Sequence, residues 1–219
     1  LNSKRHGVKH IPKAVVLTLA LLFCTACGST RQAECVDVLS NTENSRYSFE
    51  LKYEDEKELI AVTDKSRGES FIIPEETFVD ESYSIMSIYP TENYLYYMKG
   101  RNSGVSIYRI KLSDMTREEI IKSSDTADKS ILGLTFSWSD TENRFSAVRL
   151  FTDEKNIYLI DKNGMVFVLN PFAEKITDCT CIIEESVLGG CIFDGKAIYY
   201  IDEDGVQKMY NVVNKTFRI

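Results

Sequence analysis

Asp153-Glu154-Lys155-Asn156-Ile157-Tyr158-Leu159-Ile160-Asp161-Lys162-Asn163-Gly164 returns 41 positions later as Asp194-Gly195-Lys196-Ala197-Ile198-Tyr199-Tyr200-Ile201-Asp202-Glu203-Asp204-Gly205. Asn170 and Asn211 then meet in the same register. Such a repeat is sought before any residue-level chemistry, because a missed period misreads the whole fold. Weaker copies share the frame. Ile88 to Met98 matches Leu150 to Ile160, and Asp55 to Ile60 gives a fourth, so the aligned Leu59, Leu95, Ile157 and Ile198 lie 36, 62 and 41 positions apart. The long interval reads as one unit plus an insertion within Ser123 to Asn143.

Each unit is strand-like. Tyr, Ile, Val and Phe dominate, and Ile-Tyr-x-Ile-Asp-x-x-Gly ends in a turn whose glycine supplies the positive φ that a tight hairpin needs. Second strands follow at Val105 to Leu112, Met165 to Asn170 and Val206 to Asn211, with short third runs at Glu118 to Lys122 and Thr216 to Ile219. Helical periodicity is scarce, and Ser113 to Lys122 is its best instance. A meander of three or four strands recurring about every 40 residues is the blade pattern of a β-propeller, because each sheet is too small to bury both faces except against its neighbours. The fold class expected is therefore all-β and β-propeller-like, with about four blades in a ring that is incomplete or irregular; a two-sheet β-sandwich is the alternative. Ile198-Tyr199-Tyr200-Ile201-Asp202 and Ile107-Tyr108-Arg109-Ile110-Lys111-Leu112 also resemble the Tyr-rich propeller repeats of bacterial exported proteins of unknown function. That resemblance implies a fold and no activity.

The first 26 residues hold Lys4, Arg5, Lys9, Lys13 and both histidines, His6 and His10, with no acid, before the apolar run Ala14 to Phe23. Ten residues rise about 15 Å as a helix, roughly half a bilayer core, which fits a secretory signal better than a permanent span. Leu21-Leu22-Phe23-Cys24-Thr25-Ala26-Cys27-Gly28-Ser29 resembles the bacterial lipobox, although Cys24 stands where that motif prefers Leu. The resemblance implies diacylglycerol on Cys27 and cleavage before it; ordinary cleavage after Ala26 exports the domain equally. Two or more acyl chains hold a protein firmly to a membrane. The expected organisation is a signal peptide at 1–26, a lipidated tether at 27–46 and a β-propeller-like domain at 47–219, located outside the cytoplasm on the membrane surface.

Loss of the signal leaves 22 bases against 33 acids, a net charge of −11. With no surplus of clustered Lys and Arg, nucleic acid is not an expected partner. The domain then has no histidine, which removes Ser-His-Asp and Cys-His nucleophile activation and most catalytic zinc sites. No catalytic residue, metal ligand or cofactor is assigned. Four cysteines remain, Cys35, Cys179, Cys181 and Cys191; at most one disulfide is expected, with Cys191 the better partner for Cys179 or Cys181, whose side chains share one strand face.

Other candidates have plainer readings. The turns Asp161 to Gly164 and Asp202 to Gly205 open like calcium loops, but position twelve is Phe172 or Val213 and supplies no carboxylate, so hairpin turns are expected. The acid pairs Glu75-Glu76, Asp153-Glu154 and Glu184-Glu185 raise glycosidase chemistry, yet neighbours on a strand point to opposite faces. Lys57, Lys155 and Lys196 recur before the strand and read as solvated turn residues. Tyr94, Tyr96, Tyr97, Tyr199 and Tyr200 cover both strand parities and are expected in packing, with some aromatic surface free to hold sugars or peptides. Trp138 beside Phe136 is the preferred exposed contact. The function expected is a binding or protein-interaction module with an unassigned protein, peptide or glycan ligand. The alternatives are a carboxylate-based carbohydrate enzyme and an assembly lipoprotein whose ring a partner completes.

Overall fold

A computed structural model describes residues 36–38, 41–54, 57–73, 84–101, 104–121, 149–161, 163–172 and 180–219. All regular structure among them is strand. The first antiparallel sheet contains β2 (Tyr47–Glu54), β3 (Lys57–Asp64) and β4 (Glu69–Ile72). The second contains β5 (Ser84–Pro90), β6 (Tyr94–Arg101), β7 (Gly104–Lys111) and β8 (Thr116–Ile121), and the third β9 (Arg149–Thr152), β10 (Ile157–Ile160), β11 (Val166–Leu169) and β12 (Thr180–Ile183). The fourth is ordered β1-β13-β14-β15-β16, with β1 (Val36–Asp37), β13 (Cys191–Phe193), β14 (Ala197–Ile201), β15 (Gln207–Asn211) and β16 (Thr216–Arg218). Four sequential meanders replace the two-sheet sandwich alternative.

Register explains why β10 and β14 are apolar at every position and why the middle of β3 and of β6 is apolar too. Ile60 and Val62 of the first sheet face the second, where they share a cluster with Leu95, Tyr97 and Ile110. One residue out of phase, Tyr96 and Met98 join the cluster that runs through the third sheet into the fourth, with Tyr158, Ile160, Ile198 and Tyr200. Successive residues point to opposite faces, and both faces are covered, so β10 and β14 are buried throughout. The next residues in phase, Tyr199 and Ile201, form a separate small cluster with Ile192 and Ala197. Among the described residues no apolar cluster links this face to the first sheet, whose opposite face mixes Glu50, Lys52, Thr63 and Ser70 with Leu59, Ala61 and Ile72. The fold is thus β-propeller-like, with four blades in an open ring.

The 41-residue repeat carries the same turn hydrogen bonds in both copies. Asp153 Oδ1 accepts from the amides of Lys155 and Asn156 at 3.0 and 2.6 Å, and its Oδ2 from the Tyr158 hydroxyl at 3.0 Å. Asp194 does the same for Lys196, Ala197 and Tyr199 at 2.8, 2.7 and 3.1 Å. At the other end of the strand, Asp161 Oδ1 takes the amides of Asn163 and Met165, and Asp202 Oδ1 those of Asp204 and Val206. Gly164 and Gly205 hold φ of +85° and +81° in these turns. Replacing Asp194 by alanine strands two amides and a hydroxyl, and a loss of about 2 kcal/mol is expected in urea unfolding; Asp153→Ala should match it.

Several expectations change here. Within the stretch expected as a tether, 27–46, the described residues 36–38 and 41–46 make contacts with the sheets: β1 pairs with β13, Val38 is buried, and Asn44 Nδ2 donates to Thr91 O at 2.7 Å. Thr116–Ile121, inside the best helical period, is an exposed-to-buried strand on the rim of the second sheet. Cys27, Cys35, Cys179, Glu75, Glu76, Phe136, Trp138 and the insertion Ser123 to Asn143 lie outside the described residues. Cys181 on β12 and Cys191 on β13 belong to different sheets and are not bridged to each other, which removes one of the two pairings expected for Cys191; the other, with Cys179, lies outside the described residues.

One carboxylate at the start of the ring couples the fold to pH. Asp64 accepts from the Ser66 hydroxyl at 2.5 Å and amide at 2.9 Å, and from Arg46 at 3.1 Å. Chiefly through the Ser66 hydroxyl, these contacts hold its pKa at about 2, against 3.8 ordinarily. Above pH 4 the carboxylate stabilises the folded state; as pH falls from about 4 towards 2 the unfolded chain takes up the proton first and that contribution disappears. Asp64→Asn is expected to flatten this part of the stability–pH curve, measured as urea midpoints between pH 2 and 5.

Candidate functional site: a cleft between the third and fourth sheets

Strands β9 and β10 of the third sheet meet β13 of the fourth through rings. Phe151 stacks on Tyr158 with centroids 4.9 Å apart, and Phe193 meets them at 5.1 and 5.4 Å. Further out the sheets diverge, and an open cleft of about 690 Å³ lies between them. Its third-sheet wall is Tyr158, Val168 and all of β12, followed by Glu184 and Glu185; its fourth-sheet wall is Tyr200, Tyr210, Val212, Lys215 and Phe217. The size falls within the roughly 300–1,000 Å³ of small-ligand sites.

Equivalent positions in the repeat explain the opening. Arg109 on β7 lies opposite Tyr96, as Val168 on β11 lies opposite Tyr158. Between the second and third sheets the Arg109 guanidinium sits 4.8 Å from the Tyr94 ring centroid and 5.0 Å from that of Phe172, and its Nε donates to Glu118 at 2.7 Å. That long side chain occupies the space between the blades. Valine at the same position is too short to do so.

The cleft's polar groups divide into engaged and unengaged. Lys208 donates to Glu185 at 2.5 Å and approaches Asp202 at 2.9 Å, contacts that raise its pKa and lower that of Asp202. Burial pushes Tyr200 up to about 12 and raises Tyr210; Cys181 is raised by burial and by Glu184. The Tyr200 hydroxyl is fully buried and, among the described residues, has no hydrogen-bond partner. Such a group costs about 1–3 kcal/mol when left unsatisfied, and here it belongs to a residue lining an open cleft.

The sequence candidates are distributed as follows. Tyr200 reaches the cleft, while Tyr96, Tyr97 and Tyr199 pack between or on blades. Glu184 and Glu185 line it, but Asp153 is engaged in its turn and Glu154 accepts from Thr91 Oγ1 at 2.6 Å. The carboxylates of Asp161 and Asp202 bind backbone amides, and among the described residues no group of three His, Cys, Asp or Glu is placed to hold a metal ion. Lys155 and Lys196 are exposed. Val168, Thr180, Tyr210 and Phe217 were not singled out in the sequence; the available signal was the Arg-to-Val change between equivalent repeat positions.

No family model and no curated protein matches the chain. Solved structures that do resemble it include TolB from Acinetobacter baumannii, at 12% identity over 80% of this chain and 40% of that one, TM-score 0.45. A structural genomics protein of unknown function from Bacteroides thetaiotaomicron has 16% identity over 81% and 45%, TM-score 0.48. A nidogen/laminin complex has 12% identity over 80% and 58%, TM-score 0.43. The chain thus spans between two fifths and three fifths of each of these structures.

Proposed function

We propose that the chain is an exported binding module, held on a membrane surface through lipid on Cys27, that takes its ligand in the cleft between the third and fourth sheets and performs no catalysis. The observation that carries this reading is the cleft of about 690 Å³ that Val168 leaves open where Arg109 fills the equivalent gap between the second and third sheets. The protein supplies its own blocking substitution, Val168→Arg, which copies the residue that fills the preceding gap. Arrays of glycans and of peptides probed with the full chain should show a ligand that Val168→Arg loses at least tenfold while its melting temperature is kept. No ligand on either array, or ligands indifferent to Val168→Arg, would overturn the reading. The anchor is tested separately by labelled palmitate, with incorporation expected in the parent and none in Cys27→Ser.

The open ring favours a second reading, assembly with a partner that completes it. Solution mass decides it: a monomer at high concentration with no added protein in the native complex removes it.

A further inference from the structure

We infer that the cleft receives a short extended peptide whose two ends carry opposite charges, paired along the free edge of β12. This rests on the proposed cleft and names its ligand class. β12 is the last strand of the third sheet, bonded only to β11 among the described residues, and each of its four residues lines the cleft. An uncovered strand edge offers alternating N–H and C=O groups at the spacing of an extended chain, so a peptide adds to it as a further strand while side chains set the specificity. A sugar would need a broad exposed aromatic face, and the cleft's tyrosines are buried; Phe217 alone among its rings is exposed.

Charge defines the ends. Glu184 stands on the third-sheet wall and Lys215 on the fourth-sheet wall, and among the described residues neither has an ion-pair partner, whereas neighbouring Glu185 is occupied by Lys208. A basic side chain meets Glu184 and a carboxylate meets Lys215, so opposite signs on opposite walls set the direction in which the peptide lies.

Fluorescence polarisation with labelled Lys-Val-Thr-Val-Glu tests this, using the full chain with its signal removed. Methylating alternate amides is expected to weaken binding at least tenfold, because main-chain pairing is lost while side chains remain. Glu184→Gln and Lys215→Gln should each cost about fivefold with that peptide and leave uncharged Gln-Val-Thr-Val-Gln unaffected. Equal binding of the methylated peptide, or no binding at millimolar concentration, would overturn the inference. Glycans bound in a manner sensitive to Val168→Arg, with peptides ignored, would remove the peptide class and keep the cleft. Peptide binding indifferent to Val168→Arg would remove both.

Discussion

Phe151→Ala is expected to cost about 4 kcal/mol, within the range for deleting a buried aromatic ring. Phe151 is fully buried on β9 and touches three rings: Tyr158 at 4.9 Å, Phe193 at 5.1 Å and Tyr89 at 6.3 Å. These come from its own sheet, the fourth and the second, so one side chain bridges two blade interfaces. The cavity cannot collapse easily, because its walls belong to sheets held apart by their own ladders. A domain stable by about 5–15 kcal/mol would lose much of its margin. Urea midpoints of Phe151→Ala and Phe151→Leu check this, with the leucine variant falling between the other two. A cost under 1 kcal/mol for alanine would mean that the three sheets do not meet there.

Gly164→Ala is expected to cost about 3 kcal/mol and Gly205→Ala about 1 kcal/mol, although the two glycines occupy the same place in the repeat and share one backbone conformation. Both have φ near +80°, so each alanine pays the left-handed penalty. A Cβ on Gly205 meets nothing within 4 Å. A Cβ on Gly164 would overlap the Ser186 hydroxyl and lie 2.9 Å from Ser186 Cα, where the Val187 amide donates to Gly164 O at 3.0 Å. The difference therefore reports packing of the third sheet's turn against the segment that leads into the fourth. Equal costs would show that this segment moves freely.

The alternation of tyrosine with branched apolar residues, the turn glycines and the 41-residue spacing made the meanders and their hairpins readable, down to the strands starting near Val105, Val166 and Thr216. The reading failed where local chemistry was overridden or silent. Thr116–Ile121 is rich in Arg and Glu, which favour helix in isolation, and becomes a strand because β7 offers it a partner edge. Val36–Asp37 has no pattern at all, and only its pairing with β13 makes it a strand. The cleft was hidden for a different reason. It arises from the length of one side chain across a strand pair, Arg109 against Val168, and comparing them requires the register as well as the repeat.

The pairing of Val36 with Phe193 has a consequence for how the molecule comes into being. The first three meanders need only neighbouring sequence and can zip up as the polypeptide emerges. The innermost edge of the last one waits for material from near the start, so its formation closes most of the chain into a single loop and comes late. Release of that two-residue stitch is the least expensive opening available to the last blade, and protection of its amides in hydrogen exchange should lag behind that of the middle two.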